Sequence, residues 1–278
     1  MRVVSARDFL IRGLLAGLIA AFAAFAVAYF VGEPPVRTAI ALEESSGGHS
    51  HETGADHSEG TEHTHDSTGH THETDEAAGP GEVEVPRSLQ STVGLLTGLL
   101  VAGVTLGGLV GVISAIAMGR FGKLTPRATT LAVAAMGFVA AYVFPYLLYP
   151  PNPPAVGSGD TIGSRSALYF TFLAISLIGA VTAVLVGRRL AERLGGWHAA
   201  LVSIGGYVVV MLVAMALLPH YNEVPDDFPA SVLYDFRRAS FLTQFTLWAV
   251  LGVVLAEFVG RLARRQPATA RELADVRA

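Results

Sequence analysis

The chain has 278 residues, of which 51% are hydrophobic and only 15% charged, and its formal net charge is −4. An average soluble domain carries about 25% charged residues, so a soluble enzyme, a nucleic-acid binder and a disordered regulator all fit this composition poorly. The chain has no cysteine, which excludes disulfides, thiolate metal sites and cysteine nucleophiles.

The first apolar stretch, Phe9–Val31, exceeds the roughly 20 helical residues that cross a hydrocarbon core of about 30 Å. It follows a basic start and contains Ala26-Val27-Ala28, which resembles a signal-peptidase site. The apolar run is longer than a cleaved signal needs, so a retained anchor is the expectation; cleavage would leave five later spans. Those later spans are Ser91–Met118, Ala128–Leu148, Ala167–Gly187, Ala199–Leu218 and Ser240–Leu262. Their Ala, Leu, Val and Gly content lacks period-2 alternation, and lipid leaves backbone polar groups no outside partner, so helices are expected. The fold class is therefore all-α: a polytopic integral membrane protein of about six transmembrane helices. The expected divisions are residues 1–31 (N-terminus and first helix), 32–89 (external loop), 90–262 (five-helix bundle) and 263–278 (cytoplasmic tail).

Lys and Arg set the orientation. Arg2, Arg7, Arg12, Arg120, Lys123, Arg127, Arg188, Arg189, Arg193, Arg261, Arg264, Arg265, Arg271 and Arg277 all fall on one side if the spans alternate. Arg37, Arg87, Arg165, Arg237 and Arg238 fall on the other. The positive-inside rule places both termini in the cytoplasm of a multi-pass protein of the cell membrane.

Between the first two spans the sequence HSHETGADHSEGTEHTHDSTGHTHE carries His49, His51, His57, His63, His65, His70 and His72, seven of the nine histidines. Thirteen acidic residues against Arg37 and Arg87 give residues 32–89 a net charge near −11. Ser, Thr and Gly fill the rest without apolar periodicity, which predicts a disordered loop. Neutral imidazoles beside carboxylates bind borderline divalent ions, so this loop is read as a capture site for an ion such as Co²⁺, Ni²⁺ or Zn²⁺, with its identity left open. An acidic linker with His as polar filler is the plainer reading.

The span centres contain no ionisable residue, unlike transporters that ligate metal inside their helices. Small residues recur instead: Gly13 and Gly17 in the first span, and Gly103, Gly107 and Gly111 in the second. Such stripes bring backbones together, and an ion path along them is the sharper alternative. The external ends read GEPPV, FPYLLYPPNPPAVGSGDTIG and LLPHYNEVPDDFP, which predicts stiff non-helical caps. They carry Glu33, Asn152, Asp160, His220, Asn222, Glu223, Asp226 and Asp227. Glu33, His220, Glu223, Asp226 and Asp227 form the candidate metal vestibule. No acid–base pair or nucleophile constellation suggests an enzyme.

Four segments resemble the family of predicted cobalt transporter subunits known as CbtA: GEPPVRTAIALEE (32–44), RSLQSTVGLLTGLLVAGVTLGGL (87–109), YPPNPPAVGSGDTIGSRSALY (149–169) and LLPHYNEVPDDFPASVLYDFRRASFLTQ (217–244). The resemblance implies a polytopic component of a cobalt uptake system. Its implied partner is a small single-span membrane subunit with its own His motif, in the lipid bilayer and without nucleic acid. It brings no transport site at the level of residues, and no prosthetic group. The chain has no Walker sequence, so ATP coupling would need another subunit. A non-conducting membrane metal-binding or assembly protein is the alternative function.

Overall fold

The computed structural model describes residues 5–47, 86–121 and 124–275, with the side chains of 46–47 and 265–275 excepted. Five helical runs are long and apolar enough to cross a membrane: α1 (Ala6–Ser45), α2 (Arg87–Ala117), α3 (Pro126–Leu148), α4 (Gly159–Leu217) and α5 (Ala230–Arg264). No strand occurs among the described residues. The seven histidines of the tract, His49 to His72, lie outside them.

The helix starts are set by side chains that satisfy the first free N–H groups. Ser5 and Asp8 form a reciprocal capping box ahead of α1. The Thr125 hydroxyl accepts from the Ala128 N–H at 3.2 Å, with Pro126 in the first turn of α3, where its missing N–H costs nothing.

The α1/α2 pair meets through its small-residue stripes. Gly13 lies against Gly107, Gly17 against Gly103, and the Phe9 carbonyl against Gly111, so the helices run antiparallel. A Cβ at Gly107 would sit 2.7 Å from the Gly17 Cα, and one at Gly111 would sit 2.6 Å from the Phe9 carbonyl oxygen. The two backbones are thus in direct contact, and the packing reading of these stripes describes them. The ion path along them is corrected: a seam too narrow for a methyl group has no room for a hydrated cation.

α3 and α5 close the bundle. Gly137 accommodates the Trp248 indole and Gly252 meets the Ala134 methyl. The resulting core combines Ala16, Ala20 and Ala24 of α1, Val110 of α2, Val133 of α3 and Leu251, Leu255 and Val259 of α5. These contacts place the start of α1, the end of α2, the start of α3 and the end of α5 together. That end carries Glu257, which binds Arg127 at 2.6 Å and Arg261 at 2.9 Å.

α4 stands apart from this core. It counts as one run where the sequence predicts two spans, Ala167–Gly187 and Ala199–Leu218. Its backbone leaves the helical region at Gly195, with φ 74°, a conformation that glycine adopts without steric cost. The Ser176 and Tyr207 hydroxyls are 2.8 Å apart although 31 residues separate them, whereas a continuous helix would hold them about 46 Å apart. Ser203 packs on Gly187. The chain therefore reverses at Gly195, and α4 is a hairpin of two antiparallel arms. A second small core of Phe144, Leu148, Phe172 and Met211 fastens this hairpin to the end of α3, and the Ser176 hydroxyl donates to the Ala140 carbonyl at 2.7 Å.

Two expected caps are corrected, the second in part, since Phe144–Leu148, Ile162 and Gly163 of FPYLLYPPNPPAVGSGDTIG are helical. GEPPV does not end the first helix: a π turn at Ala28–Gly32 leads directly into helix Glu33–Gly47. Proline breaks a regular helix because it has no N–H and its ring strikes a carbonyl one turn back. A π turn shifts the hydrogen-bond register by one residue, and Pro34 and Pro35 follow just where that shift is absorbed. The same arrangement recurs in α3, where a π turn at Val139–Val143 precedes Pro145. YPPNPP and the segment after Leu218 are non-helical, in line with their proline content.

Candidate functional site

The end of the molecule opposite Glu257 carries the polar structure of interest. Between α3 and α4 the chain passes through Pro150–Pro154 and turns over α4 by way of Ala155 (φ 65°) and Gly157 (φ 127°). Gly157 is favoured by that positive φ, and a Cβ there would lie 2.9 Å from Nη1 of Arg165, the movable end of a long side chain. Arg165 projects from the first turns of α4 and binds Glu223 at 2.7 Å. Glu223 also accepts from the Ser158 N–H at 3.2 Å and from the Thr161 hydroxyl. One carboxylate thus ties the α3–α4 connection to the α4–α5 connection.

The Thr161 hydroxyl bond above all, with the Ser158 N–H and the Arg165 charge, holds the Glu223 carboxyl below the ordinary glutamate value of 4.5, against the opposing effect of burial. A depressed carboxylate pKa contributes stability above the unfolded-state value and loses it as pH falls through the folded-state value. The loop around Ser158 is therefore expected to stay closed at neutral pH and to open only below pH 4.5. Amide exchange at Ser158 measured across acid pH checks this, and Glu223→Gln should abolish the acid transition.

Beside this pair lies a cavity of about 460 Å³ whose wall includes Tyr149, Asn152, Arg165, Tyr169, Asn222, Glu223 and Arg237. Arg237, from the second turn of α5, donates through Nη2 to Asn152 Oδ1 at 3.0 Å and through Nε to the Pro151 carbonyl at 3.4 Å. The Tyr149 hydroxyl donates to the Pro219 carbonyl at 2.9 Å and draws the two proline-rich connections together.

Of the residues named from sequence, Asn152, Asn222 and Glu223 meet at this cavity. His220, Asp226 and Asp227 are exposed on the α4–α5 connection outside its wall. Glu33 is elsewhere and engaged: its side chain is only 8% exposed, with Arg87 at 2.6 Å and Arg37 at 3.3 Å. No group of three or more His, Asp or Glu side chains among the described residues is arranged to hold a metal ion. Sequence reasoning missed the two arginines of the cavity. Arg165 and Arg237 were visible as basic residues on the otherwise acidic side, which was the available signal.

A helical membrane protein of several spans, charged at one end and carrying a proline-framed polar cavity at the other, is the class that this architecture defines. Over residues 6–260 the chain matches the model of the probable cobalt transporter subunit (CbtA) family. It belongs to that family, whose members are described as probable cobalt transporter subunits. No curated protein and no solved structure matches it.

Proposed function

We propose that this chain is the membrane subunit of an uptake transporter for Co²⁺ or a related divalent cation. The family match over residues 6–260 carries the reading. In it, the two arms of α4 cross separately, both termini are cytoplasmic, and the segment between α1 and α2 is external. Clustering of Arg12, Arg120, Arg127, Arg261 and Arg264 at the Glu257 end supports that orientation, since basic residues gather on the cytoplasmic side. His49, His51, His57, His63, His65, His70 and His72 capture metal outside. A small single-span subunit completes the transporter. His220, Asp226 and Asp227, exposed at the external end as Asp160 also is, are among the described side chains open to a passing cation.

The closed α1/α2 seam and the absence of a three-donor cluster among the described residues favour one rival, a membrane metal-binding or assembly protein that does not conduct. Cobalt accumulation in cells with and without the protein separates the two, using a chain that lacks 49–72. A transporter loses uptake at limiting cobalt and keeps it at high cobalt; a binder loses its whole effect. Uptake unchanged by removing the entire protein would overturn the transport reading.

A further inference from the structure

The sequence puts five basic residues at the cavity end of the molecule: Arg37, Arg87, Arg165, Arg237 and Arg238. Four have carboxylate partners. Arg37 and Arg87 share Glu33, Arg165 binds Glu223, and Arg238 binds Asp235 at 3.2 Å. Arg237 differs, since its partners are the neutral oxygens of Asn152 and Pro151. Those two bonds use two of its five N–H donors. The half-buried guanidinium stands in the cavity wall, where the one carboxylate, Glu223, is already held by Arg165, Thr161 and Ser158. The cavity therefore has one uncompensated positive charge and the planar donor fork that matches an oxyanion.

The surroundings identify the kind of anion. The same wall includes Ile162 and Phe170 of α4, which are 59% and 63% exposed. Phe170, Leu177 and Val181 fall on one stripe of that arm by their spacing of seven and four residues, and all three are exposed. A charged pocket at the end of an apolar membrane span, with a bare apolar stripe leading away from it, has the polarity of a phospholipid. We propose that the Arg237 cavity binds the phosphodiester of a phospholipid headgroup, with an acyl chain along Phe170, Leu177 and Val181. One unpaired charge in the wall matches one phosphodiester charge. A headgroup ammonium would face the net positive charge of a wall with two arginines and one carboxylate, so phosphatidylglycerol binds more tightly than phosphatidylethanolamine.

The test uses the full-length protein, delipidated in detergent and titrated with phosphatidylglycerol, phosphatidylethanolamine or inorganic phosphate. Thermal stability and native mass spectrometry are the readouts. Phosphatidylglycerol should raise the unfolding midpoint and remain bound. Arg237→Gln should weaken binding about tenfold or more, the usual scale for losing a charge-assisted hydrogen bond. Arg238→Gln, which disturbs the neighbouring pair with Asp235, should bind as the unaltered protein does. Phe170→Gln weakens the lipid without touching Arg237 and serves if Arg237→Gln does not fold. Equal stabilisation by inorganic phosphate would make this a free-phosphate site and overturn the lipid assignment. Unchanged phosphatidylglycerol binding in Arg237→Gln, or in Phe170→Gln, would overturn it as well.

Discussion

A Gly107→Leu chain is expected to fail to assemble the α1/α2 pair and to reach the membrane, if at all, as an aggregation-prone species. The expectation follows from distances. A β-carbon at residue 107 meets the Gly17 Cα at 2.7 Å and the Gly17 nitrogen at 2.8 Å, and neither backbone atom can rotate away as a side chain does. Adding a methylene to a packed core costs about 1–3 kcal/mol where neighbours can adjust, so Gly107→Ala should fall at or above the top of that range. The leucine then forces the helices apart. In lipid their association rests on close packing rather than on expelling water, and little remains to hold a separated pair. Gly98→Ala is the control. Nothing lies within 4 Å of a Cβ at Gly98, so alanine should be neutral or stabilising by up to about 1 kcal/mol through its better helix propensity. Unfolding midpoints in detergent for the three variants decide the matter; equal midpoints for Gly98→Ala and Gly107→Ala would contradict the crossing.

The second large effect concerns Glu33. Its carboxylate is nearly sealed from solvent and is met by Arg87 at 2.6 Å across 54 residues of chain. Removing one partner of a buried pair costs about 3–5 kcal/mol because the other charge is stranded. Arg87 is 39% exposed, so water recovers part of that, and a loss of about 1–3 kcal/mol is expected for Glu33→Gln. Arg87→Gln should lose a similar amount, and the double variant should cost much less than the sum of the two. Arg37→Gln should cost under about 0.5 kcal/mol, since its contact is an exposed one-turn pair. A strictly additive Glu33/Arg87 cycle would remove the pair from the account. The cycle also separates two roles for Glu33. A metal ligand would shift cobalt affinity at constant stability, whereas a structural anchor shifts stability.

The spans were legible because lipid imposes a simple rule on composition and length, and Phe9–Val31 or Ser91–Met118 obey it. The α1/α2 stripe was legible too, since Gly13, Gly17, Gly103 and Gly107 keep the four-residue spacing of one helix face. What escaped has a local reason in each case. The persistence of helix through Glu33-Pro34-Pro35 depends on a π turn, which has no composition signature. The vestibule was assembled from acids and histidines on shared connections, yet the cavity is organised by arginines. Arg165 finds Glu223 and Arg237 finds Asn152 at separations of 58 and 85 residues, and no periodicity encodes such pairings. The histidine tract, by contrast, is legible as chemistry alone and lies outside the described residues.

The place of α4 between α3 and α5 bears on how the protein is made. Helices leave the ribosome in order, yet the first part of α3 packs not on the next element but on α5. Trp248, Leu251, Leu255 and Val259 of α5 fill the centre of a core that α1, α2 and α3 can only surround. Until α5 is inserted, the first three helices wait with that centre unfilled while a self-contained hairpin, joined through its own small core, is synthesised in between. Assembly is thus committed only once α5 is in place, and a chain lacking α5 from Ser240 onward would have most of its recognisable motifs and no finished core.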